Sequence, residues 1–408
     1  MEILLITADY FPEIRSVATM CKELAEELTV LGHRVTVLTS WPRYNLPDEM
    51  RPESFKIEME ENGVRVLRVK TLPLHKNSYC VRGLAQITLP FLFSRALKKR
   101  VGEKIDAVII YSPPISLARI GAVIKKTHKA YVLLNVQDIF PQNAIDLKIL
   151  RNRLLIRYFE WVEAYAYRIA DALTTCTEGA RQFLITHKGI NPEKVTTVYN
   201  WVDLEPYKIA KPRGLRKYYG LEGKFVLLFA GIMGPSQGLE YIIKVAKQLV
   251  NFPDIVFLLL GDGTSRPALE KMANRYGLTN VRFGGFIPSD RYPVLLKEMD
   301  VGLITLEKDC KTPTIPGKFF GFAASLLPVL AFLNPESEGH AIIKEAQCGY
   351  SMIPDNPEAG AQLVRRMYKS PKTLPILGEN GLRYVTKHFS KQQCIDMIEQ
   401  LITDNQLE

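Results

Sequence analysis

Two consecutive α/β domains, each built on a parallel sheet, are predicted for this chain of 408 residues. Three observations carry the prediction. The length exceeds one ordinary core and suits two units of about 200 residues each. Short apolar runs alternate with amphipathic stretches twice over, the pattern of parallel strands whose faces are covered by helices. Between the two series, Asn200-Trp201-Val202-Asp203 and the basic stretch behind it read as a hinge.

The first series opens with a strand at Ile3–Thr7, followed by a helix at Thr19–Gly32 that a glycine ends. Arg34–Thr39 is predicted as a strand and Leu84–Val101 as a helix. The apolar runs Ala107–Tyr111, Tyr131–Asn135 and Ala172–Thr175 supply three more strands. In the second series, the strand Phe225–Ala230 precedes a helix from Gly238 to Asn251, and Ile255–Leu260, Val281–Phe283, Val301–Thr305 and Pro328–Phe332 complete a sheet. Runs such as IVFLLL lack polar alternation, which marks strands buried on both faces. Ligands of such sheets sit at the strands' carboxyl ends. Helices from Pro375 to Gln406 follow the second sheet.

Composition is that of a globular protein, with 47% apolar and 24% charged residues. No stretch approaches the roughly 20 apolar residues that span a bilayer, and no basic-then-apolar leader precedes the first strand, so a cytoplasmic location is expected. Cys21, Cys80, Cys176, Cys310, Cys348 and Cys394 are scattered and read as reduced thiols. The six histidines (33, 75, 128, 187, 340 and 388) are widely separated and no Asp-x-Asp occurs, so no metal site is expected.

Charge is uneven. Residues 51–130 hold 16 Lys and Arg against 6 Asp and Glu, an excess that equals the formal net charge of +10 on the whole chain. Within them, the segment Arg82–Arg100 joins an apolar run to Arg95, Lys98, Lys99 and Arg100. It suits either an anionic membrane surface or a packed helix with a solvated basic end. Nucleic acid is not an expected partner, because the bases are not interleaved with a binding module.

The stretch 314–349 carries the most chemistry. Pro313 and Pro316 punctuate a loop, Gly317 permits close backbone approach, and Lys318 stands where a helix begins. An anion such as a diphosphate would be held there. A capped amphipathic helix followed by a buried strand has the same punctuation. Glu338 opens the next helix, where an acid also complements the helix dipole. The loop Ala230–Leu239 (AGIMGPSQGL) leaves a buried strand and enters a helix, so its amides are placed either for phosphates or for a tight turn alone. Gly261–Thr264 and Phe283–Pro288 are Gly-rich turns at strand ends, fit for a base and ribose or for turning only. In Asn135–Pro141 (NVQDIFP) polar groups end a buried strand, and Asp138 is placed either to meet a sugar or to cap the next turn.

These segments resemble family 4 glycosyltransferases, particularly bacterial surface-polysaccharide members of the colanic-acid and O-antigen type. Lys318, Phe320, Gly321, Pro328, Val329, Ser337, Glu338, Cys348 and Gly349 fall in register with that group's donor signature, and the likeness runs from Leu4 to about Phe389. The resemblance implies a GT-B architecture, two Rossmann-like domains facing across a cleft. The expected boundaries are 1–203 for the acceptor-side domain, completed by a returning helix at about 385–408, and 204–384 for the donor domain. Residues Arg383–Ser390 look like the returning passage.

By the same resemblance, Lys318, Glu338 and Asp138 are the candidate catalytic residues. Gly231, Gly234, Gln237, Gly263, Phe286, Ile287, Gly317 and Ser337 would bind the donor and Gln137 the acceptor, while Arg15, which departs from the family pattern, has the charge to meet a phosphate-bearing acceptor. The implied activity is retaining and independent of a metal or other cofactor. It takes a nucleotide-sugar donor and a lipid-linked or oligosaccharide acceptor, with a peripheral place on the inner membrane face. Four positions depart from the family pattern. Gly321 stands where most relatives carry a ribose-holding glutamate, Gln237 where many carry lysine, Ile232 where asparagine is usual, and Arg15 with Ser16 where glycines are. They keep open a second reading, a degenerate GT-B protein that binds or scaffolds. A third reading, a nucleotide-sugar epimerase of the same architecture, is disfavoured because the carboxylate and histidine set expected of one is not evident in this sequence.

Overall fold

The computed structural model describes all residues except 44–45, 47–49, 51–54, 73–78, 101–103, 289, 312–314 and 405–408, and not the side chains of 79–84, 99 or 100. His75, Val101, Pro313, Thr314 and Gln406, and the side chains of Cys80, Arg82, Lys99 and Arg100, therefore lie outside the described residues. The chain forms two compact units, residues 1–200 with 392–408, and residues 201–391. The first ends just before Trp201 rather than at 203, and the chain re-enters it at Gln392 rather than near 385. Val202 N–H donates to the Phe389 carbonyl at 3.4 Å, so the outgoing passage pairs with the segment before the return.

In the first unit the strands are β1 (Glu2–Ile6), β2 (Arg34–Ser40), β3 (Glu58–Glu61), β4 (Val64–Val69), β5 (Ala107–Ser112), β6 (Tyr131–Val136), β7 (Ala172–Thr175) and β8 (Val195–Thr197). Among the described residues they form one sheet in the order β3-β4-β2-β1-β5-β6-β7-β8. All pairs are parallel except β3 with β4. That hairpin turns on Asn62 and Gly63, both with positive φ (51° and 80°). An Asn-Gly pair is favoured there because a two-residue turn of this hand needs left-handed backbone twice. The pair is a hairpin signal legible in the sequence.

The core follows from the apolar runs. Every residue of β5 is buried, and Leu4, Ile6, Leu38, Val108, Ile110, Val132 and Leu134 meet helix residues such as Ile120, Val162 and Ala166. Each buried Leu, Ile or Val contributes about 1.5–3 kcal/mol. The helix Tyr79–Arg100 begins earlier than the expected Leu84 and continues through Pro90.

In the second unit β9 (Phe225–Ala230), β10 (Ile255–Leu260), β11 (Val281–Gly284), β12 (Val301–Thr305), β13 (Val329–Phe332) and β14 (Gly349–Met352) lie in the order β11-β10-β9-β12-β13-β14. All pairs are parallel. Strand order reverses between β9 and β12, and this is the point where such sheets open to a ligand. The helix Lys318–Ala324 lies against β12 at Gly302, where a Cβ would stand 2.4 Å from the Phe322 ring. A side chain at Gly302 would push that helix away and displace Lys318 with it. The β14 strand was not read from the sequence, and it explains Gly349, whose Cβ would lie 1.8 Å from the Val329 carbonyl oxygen.

Candidate active site

Lys318 is the first residue of its helix, with Gly317 as the cap. The helix is not amphipathic, because Phe319 through Ala324 are all buried. Phe320 and Phe319 pack on Phe389, with ring centroids 4.9 and 6.5 Å apart. Held this way, the Lys318 side chain runs toward the carboxyl end of β9. Its ammonium donates to Gln237 Oε1 at 2.6 Å and lies 4.6 Å from the centre of the Phe229 ring. The residue keeps some accessible surface, but the ammonium itself is enclosed, and burial lowers its pKa from 10.5 to about 8. Among the described residues no carboxylate is paired with it. A cation desolvated in this way gains when an anion arrives.

The glycines around it divide by what their neighbours demand. Gly231 has φ +152°, a conformation that L side chains rarely adopt, and a Cβ there would stand 2.8 Å from Lys318 Cε, so the lysine arm would have to shift. At Gly261 (φ +133°) and Gly263 (φ +157°) a Cβ would lie 1.9 and 2.3 Å from the carbonyl oxygens of Gly231 and Met233. These two loops continue the β9–β10 pairing: Gly231 N–H donates to Leu260 O and Met233 N–H to Asp262 O, both at 2.9 Å. Those two amides are therefore committed to the protein, which favours the tight-turn reading for these two positions of the loop. Gly234 and Gly317 have ordinary negative φ and open space where a Cβ would go. Among the described residues packing gives no reason for glycine at either.

Gly321 also has a steric neighbourhood. A Cβ there would lie 3.1 Å from Tyr292 Cε1 and 3.2 Å from the Tyr207 hydroxyl. Two tyrosines thus fill the space into which a longer side chain would extend. Tyr207 is 114 positions away in sequence, and no local signal announced it.

Glu338 caps the helix Gly339–Ala346 by position, with no side-chain capping bond, and is half-buried. Ser337 is buried, and its hydroxyl accepts from Gly339 N–H at 3.2 Å. A Cβ on Gly339 would meet Pro316 Cδ at 3.5 Å, which brings this helix start beside the one that carries Lys318. Thr305 Oγ1 and Asn334 Oδ1, at the carboxyl ends of β12 and β13, are buried without a hydrogen-bond partner. A buried orphan of this kind costs about 1–3 kcal/mol unless something fills it. Neither was singled out from sequence, since Thr and Asn at a strand end are ordinary. Phe286 is exposed and Ile287 half-buried after β11.

In the first unit Arg15 caps the helix Ser16–Val30 and forms an ion pair with Asp9 at 3.6 Å. Asp138 follows β6. Burial raises its pKa while Arg15 pulls it down, and because the residue is also exposed, solvent screens both effects. Gln137 is engaged within the protein: its Nε2 donates to Asn135 Oδ1 at 2.7 Å and its Oε1 accepts from Asn200 Nδ2 at 2.8 Å. These bonds hold the end of β6 to Asn200, and an acceptor that reached Gln137 would have to displace one of them.

Residues 16–201 match the Glycosyl transferase 4-like domain, and residues 224–370 match the Glycosyl transferases group 1 domain. Probable glycosyltransferase WbjE of Pseudomonas aeruginosa is 30% identical over 298 residues, 71% of this chain and 72% of that protein. The chain belongs to the family 4 glycosyltransferases. Putative colanic acid biosynthesis glycosyl transferase WcaI of Escherichia coli (strain K12) is 26% identical to this transferase over 79% of the chain and 81% of its own length. A shorter stretch, 26% of the chain and 29% of the relative, is 28% identical to the Escherichia coli UDP-Gal:alpha-D-GlcNAc-diphosphoundecaprenol alpha-1,3-galactosyltransferase. Sucrose-phosphate synthase from Thermosynechococcus elongatus has the same GT-B fold, with a TM-score of 0.79 at 18% identity over 100% of this chain and 99% of that one. Anabaena HepE in complex with UDP-glucose gives 0.73 at 16% identity, covering 99% and 100%.

The transferase thus gathers Lys318, Gln237, Gly231, Gly234 and Gly317 at the switch point of its second sheet, with Ser337 and Glu338 beside them. Among the described residues no group of three His, Cys, Asp or Glu side chains could hold a metal ion. No described helix is long and apolar enough to cross a membrane.

Proposed function

We propose that this transferase moves a sugar from a nucleotide diphosphate donor to a lipid-linked precursor of a surface polysaccharide, with retention of anomeric configuration and without a metal. The observation that carries the reading is the enclosed Lys318 ammonium, paired with a neutral amide and with no carboxylate among the described residues. As the anomeric bond breaks, the leaving diphosphate gathers negative charge. A fixed cation in a water-poor site stabilises that charge more than it stabilises the bound donor. A departing phosphate oxygen takes the proton of the acceptor hydroxyl on the same face, so the new bond forms where the old one was.

Glu338 and Ser337 are assigned to the nucleotide, and Gly234 and Gly317 to close approach of phosphates. Asp138, with Arg15 beside it, is assigned to the acceptor or the transferred sugar. UDP is the first nucleotide to test, because HepE was solved with UDP-glucose. A polysaccharide precursor is supported by the likeness to WcaI, and the lipid carrier by the diphosphoundecaprenol-linked substrate of the galactosyltransferase relative. The basic segment Arg82–Arg100 would then hold the enzyme at the inner membrane face.

The test is a thermal-shift screen with UDP, GDP, ADP and dTDP, followed by sugar release or transfer from the matching donor in EDTA. A ligand that binds the folded form raises its melting temperature. Lys318→Ala is expected to cut turnover a hundredfold or more, about 3 kcal/mol of transition-state stabilisation. No nucleotide shift, or full activity in the variant, would refute the assignment.

A further inference from the structure

The helix Arg153–Ile169 of the first unit has two apolar faces where folding needs one. Phe159, Val162, Ala166 and Tyr167 are buried against the core. A second stripe, Leu154, Tyr158, Trp161 and Tyr165, recurs at spacings of four, three and four and runs from the edge of the core at Tyr158 to the exposed Leu154 and Trp161. Leu154 is 78% exposed and Trp161 53%. Tyr158 is partly buried and packs against the core, and Tyr165 is half-buried, so the two of them tie the exposed Leu154 and Trp161 to the body of the unit. Large apolar side chains held out in water beside one another call for a partner.

Three features of the stripe define that partner. The stripe is aromatic and flanked by cations: Arg119, from the helix Ala118–His128, stands 5.6 Å from the Trp161 ring centre, and Arg168 stands 5.8 Å from that of Tyr165. The rings also lie along one another, Trp161 with Tyr165 at 6.0 Å and with Tyr158 at 6.4 Å. A glycan platform needs an open ring face, and Trp161 already carries an arginine and a tyrosine. Finally, the surface continues. An apolar cavity of about 180 Å³ joins Val123 of the helix Ala118–His128 to Leu97 and Lys98 of the helix Tyr79–Arg100. On that last helix Ile87 (38% exposed) and Phe91 (65% exposed) precede the exposed Arg95 and Lys98 on one face.

We propose that the stripe Leu154–Tyr158–Trp161–Tyr165 is an interfacial anchor that seats the first unit on an anionic lipid leaflet. Leu154 and Trp161 enter the boundary between headgroups and acyl chains, where amphipathic aromatic rings are most stable. Arg119, Arg157 and Arg168 meet the lipid phosphates, and their stems cover the apolar edge. A second copy of the chain fits poorly, because it would set these arginines against their own kind. The proposal uses the lipid-linked acceptor of the preceding section for its purpose, while its physical basis is independent.

The test measures partitioning of the full chain onto vesicles of phosphatidylcholine alone or mixed with phosphatidylglycerol. The chain has three tryptophans, and Trp201 is buried and Trp41 half-buried, so Trp161 should dominate any lipid response. Its emission should move to shorter wavelength on anionic vesicles and be quenched by acyl-brominated lipid, and Trp161→Phe should abolish both changes. Leu154→Ser with Trp161→Ser is expected to weaken partitioning tenfold or more. Arg157→Ser with Arg168→Ser should weaken it and flatten its salt dependence. An unchanged UDP thermal shift in each variant would show that the fold survives.

Partitioning equal to wild type in the Leu154/Trp161 variant overturns the proposal. So does an emission shift produced by a soluble glucan, or by raising protein concentration without lipid. If Trp161 enters the bilayer but no donor is turned over, the proposed function falls and the anchor stands. If sugar is transferred while Trp161 stays in water, only the anchor falls.

Discussion

The Lys318 ammonium donates to the side-chain oxygen of Gln237 at 2.6 Å, across 81 positions of sequence. A neutral amide in that place does not repel the ammonium, as a second cation would, nor neutralise it. Among the described residues, this ammonium stands enclosed without a carboxylate partner. That charge has a pH signature. With its pKa lowered to about 8, Lys318 loses its proton as pH rises through that value. Affinity for UDP-glucose, whose diphosphate does not titrate in this range, is expected to be flat below pH 8 and to fall above it by up to about tenfold per unit. Calorimetry across the range checks this, and Lys318→Ala should remove the dependence. Stability has the opposite sign: between about 8 and 10.5 the unfolded chain holds the extra proton, so this group makes the fold more stable as pH rises.

The glycines at the site should separate under mutation. Gly261→Ala forces a methyl group to 1.9 Å from the Gly231 carbonyl oxygen, a backbone atom that cannot move aside cheaply. A loss of about 3 kcal/mol or more is expected, in the range of severe overpacking. Gly234→Ala and Gly317→Ala meet open space among the described residues. They should leave the denaturation midpoint nearly unchanged and weaken UDP binding about tenfold by blocking close approach. Full UDP affinity in both would return them to plain loop positions.

Glu338→Gln keeps shape and removes charge. Because a first-turn acid contributes only about 0.3–1 kcal/mol to a helix, stability should hardly change. Nucleoside affinity should drop if the carboxylate accepts from ribose hydroxyls, and a uridine competition assay reads this without the phosphates.

Arg15 and Asp138 are coupled in sign. Burial raises the Asp138 pKa and Arg15 lowers it. Arg15→Ala removes the lowering influence, so a turnover that needs ionised Asp138 should lose activity at higher pH on its acid side. An acid limb that stays in place, or moves to lower pH, would show that Asp138 is not the titrating group. Asp138→Asn should abolish that limb.

The sequence by itself determined the two series of strands and helices, because fully apolar runs such as Ile255–Leu260 have no stable place except inside a covered parallel sheet. It also placed Lys318 at a helix start and marked the loops at the carboxyl ends of β9, β10 and β11, since proline, glycine and strand ends are local signals. What it left undecided was which loop residue does what. Gly261 and Gly263 read like Gly234 and Gly317 in the chain, and only the approach of one backbone to another shows that the first two are required by packing, while Gly231 is marked by its positive φ and by the Lys318 side chain beside it. In the same way, the Tyr207 and Tyr292 rings beside Gly321, the Phe229 ring under Lys318 and the outward face of Trp161 arise from contacts between residues far apart in sequence. Local propensity carries no record of such contacts. They exist only once burial of the apolar runs has folded the chain and decided which side chains share a space.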